Sequence, residues 1–179
     1  MPIEPDSRDW TWVLERVCPE CRIDVRSFPR EQVGDLVRRN AVTWVELLEH
    51  SDATVRTRPD RWSTLEYACH VRDVFRVYDV RLTRMITEDG PHYDNWDQDT
   101  TAIEDHYADQ DRATVAAELG ASGEQIAARF DSVSGDDWQR TGFRGDGAEF
   151  TIERLARYFL HDVLHHLHDV GAVIEPPRP

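Results

Sequence analysis

Lysine is missing altogether: all 21 basic residues of the 179-residue chain are arginine. That uniformity points to a GC-rich coding sequence and carries no direct message about chemistry. Basic charge is scarce too. Against 35 acidic residues the net charge is −14 and the pI about 4.9. This excludes nucleic acid as a partner, because neutralising phosphates needs a basic patch. No apolar run approaches the roughly 18 residues of a membrane span, and no charged-then-apolar leader opens the chain. A soluble cytoplasmic protein is expected. Cysteine is limited to three, an odd number that argues against a disulfide framework. Internal repeats and low-complexity blocks are absent. The length suits one domain with a single sizeable core.

What is present is helical. Residues 1–28 form an N-terminal segment with Trp10, Trp12 and the pair Cys18-Pro-Glu-Cys21. A lone C-x-x-C is a weak signal: no second one completes a zinc ribbon, and no βαβ pattern supports a redox pair. It reads either as two reduced cysteines in a short turn or as part of a small metal site completed from elsewhere. Residues 29–50 read as the first long helix, with Pro29 at its start and Val33, Leu36, Val37, Trp44, Leu47 and Leu48 on its apolar face. Ser63-Thr-Leu-Glu66 is a capping box that opens a second helix. That helix runs to about Glu88, before Asp89-Gly90-Pro91. Tyr67, Val71, Val74, Tyr78, Leu82 and Met85 form its stripe, and His70 sits on the stripe's edge. Residues 91–110 are a long crossover, acidic and aromatic, either a solvated connection or a lid. Residues 111–133 form the third helix. Residues 134–150 form a turn or small hairpin, with Thr151 capping the last helix. The bundle spans residues 29–172 and a tail follows at 173–179. The fold class is all-α, a four-helix bundle with the crossover between helices 2 and 3.

The last helix carries His161, Asp162, His165, His166, His168 and Asp169. A helix turns about 100° per residue, so two rows result. One is His161, His165 and His168; the other is Asp162, His166 and Asp169. Leu155, Phe159, Val163 and Val170 mark the buried stripe, flanked by Ala156 and Leu167. The first row lies nearly opposite it, and its plain reading is a solvated polar face. Asp162 and His166 lie on the shoulder, the better place for an internal site. A one-residue error in register would select His161 and His165 instead.

Two motifs, in order and well separated, bear a resemblance. Trp62-Ser-x-x-Glu66-x-x-x-His70-Val71, together with Asp162-Val-Leu-His-His166-Leu-His-Asp169-Val170, resembles the DinB-like superfamily. That group includes mycothiol-dependent maleylpyruvate isomerases and bacillithiol transferases. The match extends over about residues 29–170. It implies that His70, Asp162 and His166 are metal ligands, in agreement with the wheel. Asp162 stands where many relatives have histidine, which leaves the metal's identity open between zinc, nickel and iron. Three protein ligands leave positions open for chemistry. The resemblance implies transfer or isomerisation of a small-molecule substrate with a low-molecular-weight thiol, and metal-dependent hydrolysis as a sister activity. A binding bundle without turnover is the rival reading. Asp73 and Asp169 are expected to orient ring nitrogens, and Trp96 and Asp97 to rim the pocket. No catalytic residue beyond the ligands is singled out. A homodimer is expected if Trp10 and Trp12 are left uncovered within the chain.

Overall fold

A computed structural model describes residues 8–174 and residue 177. Most of the expected tail lies outside the described residues. Five helices appear in chain order: α1 (Val33–Leu48), α2 (Thr64–Thr87), the short α3 (Gln98–Glu104), α4 (Arg112–Asp131) and α5 (Ile152–Asp169). The four long ones form the bundle. α4 packs on both α1 and α2, and α5 closes against α1 and α2.

The helix starts follow local chemistry. At α2 the Ser63 hydroxyl accepts from Glu66 N at 3.3 Å, and the Glu66 carboxylate accepts from Ser63 N at 2.9 Å. This reciprocal box satisfies two donors that a bare helix end leaves orphaned. Asp111 accepts from Thr114 N at 2.9 Å to start α4, and Thr151 accepts from Arg154 N at 3.1 Å to start α5. The first helix differs from expectation. Pro29 is extended and is followed by a 3-10 turn, Arg30–Gln32, so α1 proper begins at Val33. Gln32 offers no side-chain cap that would draw the α-helical turn back to the proline.

One apolar cluster runs through all four long helices, with Trp44, Val74, Leu82, Leu119, Ile126, Phe130, Phe159 and Val163 buried in it. α1 and α4 approach closely at Gly123. A Cβ there would lie 2.7 Å from that of Ala41 and 3.1 Å from the Phe75 ring.

The crossover is more structured than a bare loop. It opens with β1 (His92–Tyr93) and continues into α3, whose cap Asp97 accepts from the amides of Asp99 and Thr100. The hairpin expected before the last helix is formed by β2 (Thr141–Arg144) and β3 (Glu149–Thr151), paired antiparallel with Gly142 opposite Phe150. β1 joins β2 in parallel, with His92 opposite Phe143. The crossover is thereby tied to the segment leading into α5.

The N-terminal segment lies along α5 through two 3-10 turns, Trp10–Leu14 and Val25–Ser27. Val13, Leu14, Cys18, Ile23, Val25 and Phe28 are buried. Trp10 and Trp12 stack on each other at 5.5 Å, with Arg8 and Arg16 over their rings. Both tryptophans are half-buried against the core. Among the described residues no helix is long and apolar enough to cross a membrane.

Candidate metal centre

α2 and α5 bring His70, Asp162 and His166 together, with one potential ligand atom from each lying within 4.8 Å of the others. His166 Nε2 is 3.0 Å from Asp162 Oδ1, and His70 Nε2 is 3.6 Å from the same oxygen. The two imidazoles meet edge to face, ring centroids 4.8 Å apart. His70 is fully buried, and neither of its ring nitrogens has a hydrogen-bond partner. A buried polar group left that way costs about 1–3 kcal/mol, and such an orphan calls for an explanation, an ion being one. His166 is held from behind: its Nδ1 donates to Asp169 Oδ2 at 3.0 Å. Its Nε2 faces Asp162, and with an ion in place of the Nε2 proton the Asp169 bond would hold the tautomer a metal ligand needs.

The electrostatics favour positive charge at this point. Burial dominates at His70 and lowers its pKa. At Asp162 burial pushes upward, but His166 and His70 outweigh it and hold the carboxyl well below the usual carboxylate range. At His166 burial pulls down, yet Asp162 and Asp169 on its two nitrogens lift it to about 9. A lone imidazole between two carboxylates marks a place where a cation is welcome.

Asp162 and His166 line a cleft of about 830 Å³, with His70 buried behind its wall, and that volume is within the roughly 300–1,000 Å³ range of small-molecule sites. Trp96 stacks on His70 with planes 5° apart, and Trp62 covers it from another side, each ring centroid 5.5 Å away. Trp96 and Asp97 line the cleft, as do Arg61 and Tyr67. Asp73 does not orient a histidine. Its carboxylate accepts from Tyr107 Oη at 2.6 Å and from Arg72 Nε at 2.9 Å, and it also meets Arg76. Those cations and the phenol turn it away from the His70 ring.

The plain reading of the other histidine row is overturned. His161 and His165 are buried, 4% and 6% exposed, and only His168 is solvated. The cover is the N-terminal segment: Trp10 packs on both rings, at 5.4 and 5.1 Å. Beneath it Cys18 Sγ is 3.8 Å from His165 Nδ1 and Cys21 Sγ is 3.7 Å from His161 Nε2. Burial lowers both imidazoles, His161 to about 4, so both are neutral. Sequence reasoning did not join these four residues. Their signal was two short spacings at opposite ends of the chain, with nothing local to link them.

Four long helices around a His–Asp–His group at the wall of a cleft define a metal-capable helical bundle. The DinB superfamily profile matches residues 34–170, and the chain belongs to that superfamily. The solved structure of YfiT from Bacillus subtilis, described as "a probable metal-dependent hydrolase with an unusual four-helix bundle topology", is similar over 80% of this chain and 87% of that one. Its TM-score is 0.62 at 17% identity, a likeness of fold alone. No curated protein sequence matches the chain significantly.

Proposed function

We propose that His70, Asp162 and His166 hold a divalent metal, zinc or alternatively nickel or iron, and that the cleft carries out thiol-dependent transfer or isomerisation on a small molecule. The observation that carries this reading is the orphaned, fully buried His70 ring converging with a carboxylate and a second imidazole. Two imidazoles and one carboxylate suit these ions. When bound, such an ion lowers the pKa of a coordinated thiol or water and makes a nucleophile available near neutral pH.

The chain's own residues prepare the site. Asp169 fixes the tautomer and ring orientation of His166. Asp162 sets its charge between the two imidazoles, which outweigh its burial and hold its carboxyl well below the usual carboxylate range. Trp62 and Trp96 shield His70 from water, which strengthens every charge interaction near it. The cleft has room for a thiol beside an electrophile. A hydrolytic second reading is favoured by the description of YfiT, since the same ligand set serves water as well as a thiol.

Elemental analysis of purified protein, followed by turnover assays, tests this. His70→Ala is expected to remove one ion per chain and to abolish addition of a cysteine-derived low-molecular-weight thiol to a small electrophile. Cleavage of esters or amides without any thiol would move the assignment to a hydrolase. Metal binding without either activity would leave a binding bundle. A metal content unchanged by His70→Ala would refute the ligand set itself.

A further inference from the structure

Cys18, Cys21, His161 and His165 take no part in the centre described above, yet they form a second convergent set. One ligand atom from each lies within 4.8 Å of the other three, and all four residues are buried. We infer that these residues form a closed, tetrahedral Cys2His2 zinc site that pins the N-terminal segment to α5. The inference is independent of what the cleft does.

The two sulfur–nitrogen distances fit edges of a tetrahedron. With Zn–S about 2.3 Å and Zn–N about 2.0–2.1 Å, the sulfur–nitrogen edge is about 3.6 Å. The observed edges are 3.7 Å and 3.8 Å. The spacings fit as well: C-x2-C presents two sulfurs from one turn, and H-x3-H presents two imidazoles from one helical face. The turn is built to do this. Arg22 N donates to Cys18 O at 2.9 Å and Cys18 N donates to Ile23 O at 2.9 Å. Arg22 itself takes a left-handed backbone, φ 64°, a conformation that costs a non-glycine residue on the order of 1 kcal/mol or more and persists where the surroundings demand it. All three cysteines are free thiols, so no disulfide accounts for the turn.

The outer face of the set is completed in the manner of a metal site. His165 turns Nδ1 to Cys18, while its Nε2 faces Glu20 Oε2 at 3.6 Å and Asp169 Oδ1 at 3.9 Å. Carboxylates at the far nitrogen orient a ligating histidine. Trp10 lies over both imidazoles and, although these line the same cleft as Asp162 and His166, leaves them only 4% and 6% exposed. Four protein ligands and no open position describe a structural ion, in contrast to the three-ligand set facing the cleft. Binding releases the two thiol protons to solvent, and the site is then neutral: one dication against two thiolates.

The test uses the full-length protein. Zinc X-ray absorption of the wild type should show sulfur neighbours at about 2.3 Å; a shell of nitrogen and oxygen alone overturns the inference without recourse to any variant. Cobalt(II) replacement should give a thiolate-to-metal charge-transfer band that is lost in Cys18→Ser and kept in His70→Ala and Cys69→Ser. Cys18→Ser should also lower zinc by one ion per chain, whereas His70→Ala empties the cleft and leaves the sulfur shell. A band that survives Cys18→Ser, or disappears with Cys69→Ser, refutes the ligand assignment. The failure of the cleft reading would show separately, as a zinc content that His70→Ala does not change.

Discussion

Glu66→Gln isolates the charge at the start of α2, the helix that carries His70. The Glu66 carboxylate, with its side chain 5% exposed, accepts from Ser63 N and Ser63 Oγ at 2.9 Å each and from Arg56 Nε at 2.8 Å, with Arg56 Nη2 on its other oxygen. Gln keeps a carbonyl for the capping box but loses the ion pair. Removing one partner of a buried pair costs about 3–5 kcal/mol. Arg56 is 28% exposed and can turn partly to water, which reduces the loss to about 2 kcal/mol. In a domain of this size that is a fall of about 4–8 °C in Tm. Glu66→Ala should lose about 1 kcal/mol more, the worth of the cap. The pH dependence follows from the direction of the shift. Burial raises the Glu66 pKa, but Arg56 and Ser63 outweigh it, so the folded value lies below the ordinary 4.5. Its contribution is therefore present in full above pH 4.5 and lost as pH falls through the lower folded value. Thermal unfolding of wild type and Glu66→Gln at pH 7 and across the acid range measures this. Equal Tm values at pH 7, or a difference that grows on acidification, would refute the reasoning.

Two more outcomes follow from the geometry. Asp169→Asn removes the carboxylate behind His166 Nδ1 and should weaken metal binding at the cleft about 10–100-fold; competition against a chelator of known affinity reads it, and an unchanged affinity would mean that His166 is not oriented from behind. Gly123→Ala places a methyl 2.7 Å from the Ala41 Cβ and 3.1 Å from the buried Phe75 ring, so α1 and α4 must part slightly. The gain in helix propensity of about 1 kcal/mol does not cover overpacking of about 1–3 kcal/mol, and chemical denaturation should show a net loss.

The parts of the fold legible in the sequence are those written in a few consecutive residues. The capping box Ser63–Glu66, the stop after Glu88 and the cap Thr151 each depend on hydrogen bonds spanning two to four positions, and the helix bounds follow from them, whereas Asp111, read as the first residue of its helix, is the cap outside it. Helical phase put His70, Asp162 and His166 on the edges of apolar stripes, and the resemblance to the DinB-like superfamily is what joined α2 to α5 through them. Asp97 was overlooked as a cap, although Asp97-Gln-Asp-Thr100 carries the local signal and its carboxylate accepts from the Thr100 amide at 2.9 Å. The pairing of β1 with β2 was beyond reach, since neither strand has a pattern that names its partner. Asp73 was misjudged for the same reason: its phenol partner, Tyr107, comes from the crossover.

The histidines of α5 show where helical phase stops being sufficient. His161/His165 and Asp162/His166 are two i, i+4 pairs displaced by one residue, hence about 100° apart on the helix. A wheel drawn for a four-helix bundle allots one inward arc, so only one pair can face a neighbour and the other must be solvated. The N-terminal segment adds a second cover, and α5 is buried on both arcs. Each pair then acquires the partners suited to it: thiols and a tryptophan over His161 and His165, an orphaned imidazole opposite Asp162 and His166. Asp169 stands between the two, its Oδ2 on His166 and its Oδ1 3.9 Å from His165. Because both pairs ride on one rigid helix, the turn of α5 that buries His161 under the cysteines is the same turn that aims Asp162 and His166 at His70. The segment that lies outside the bundle motif thus helps set the geometry of the site within it.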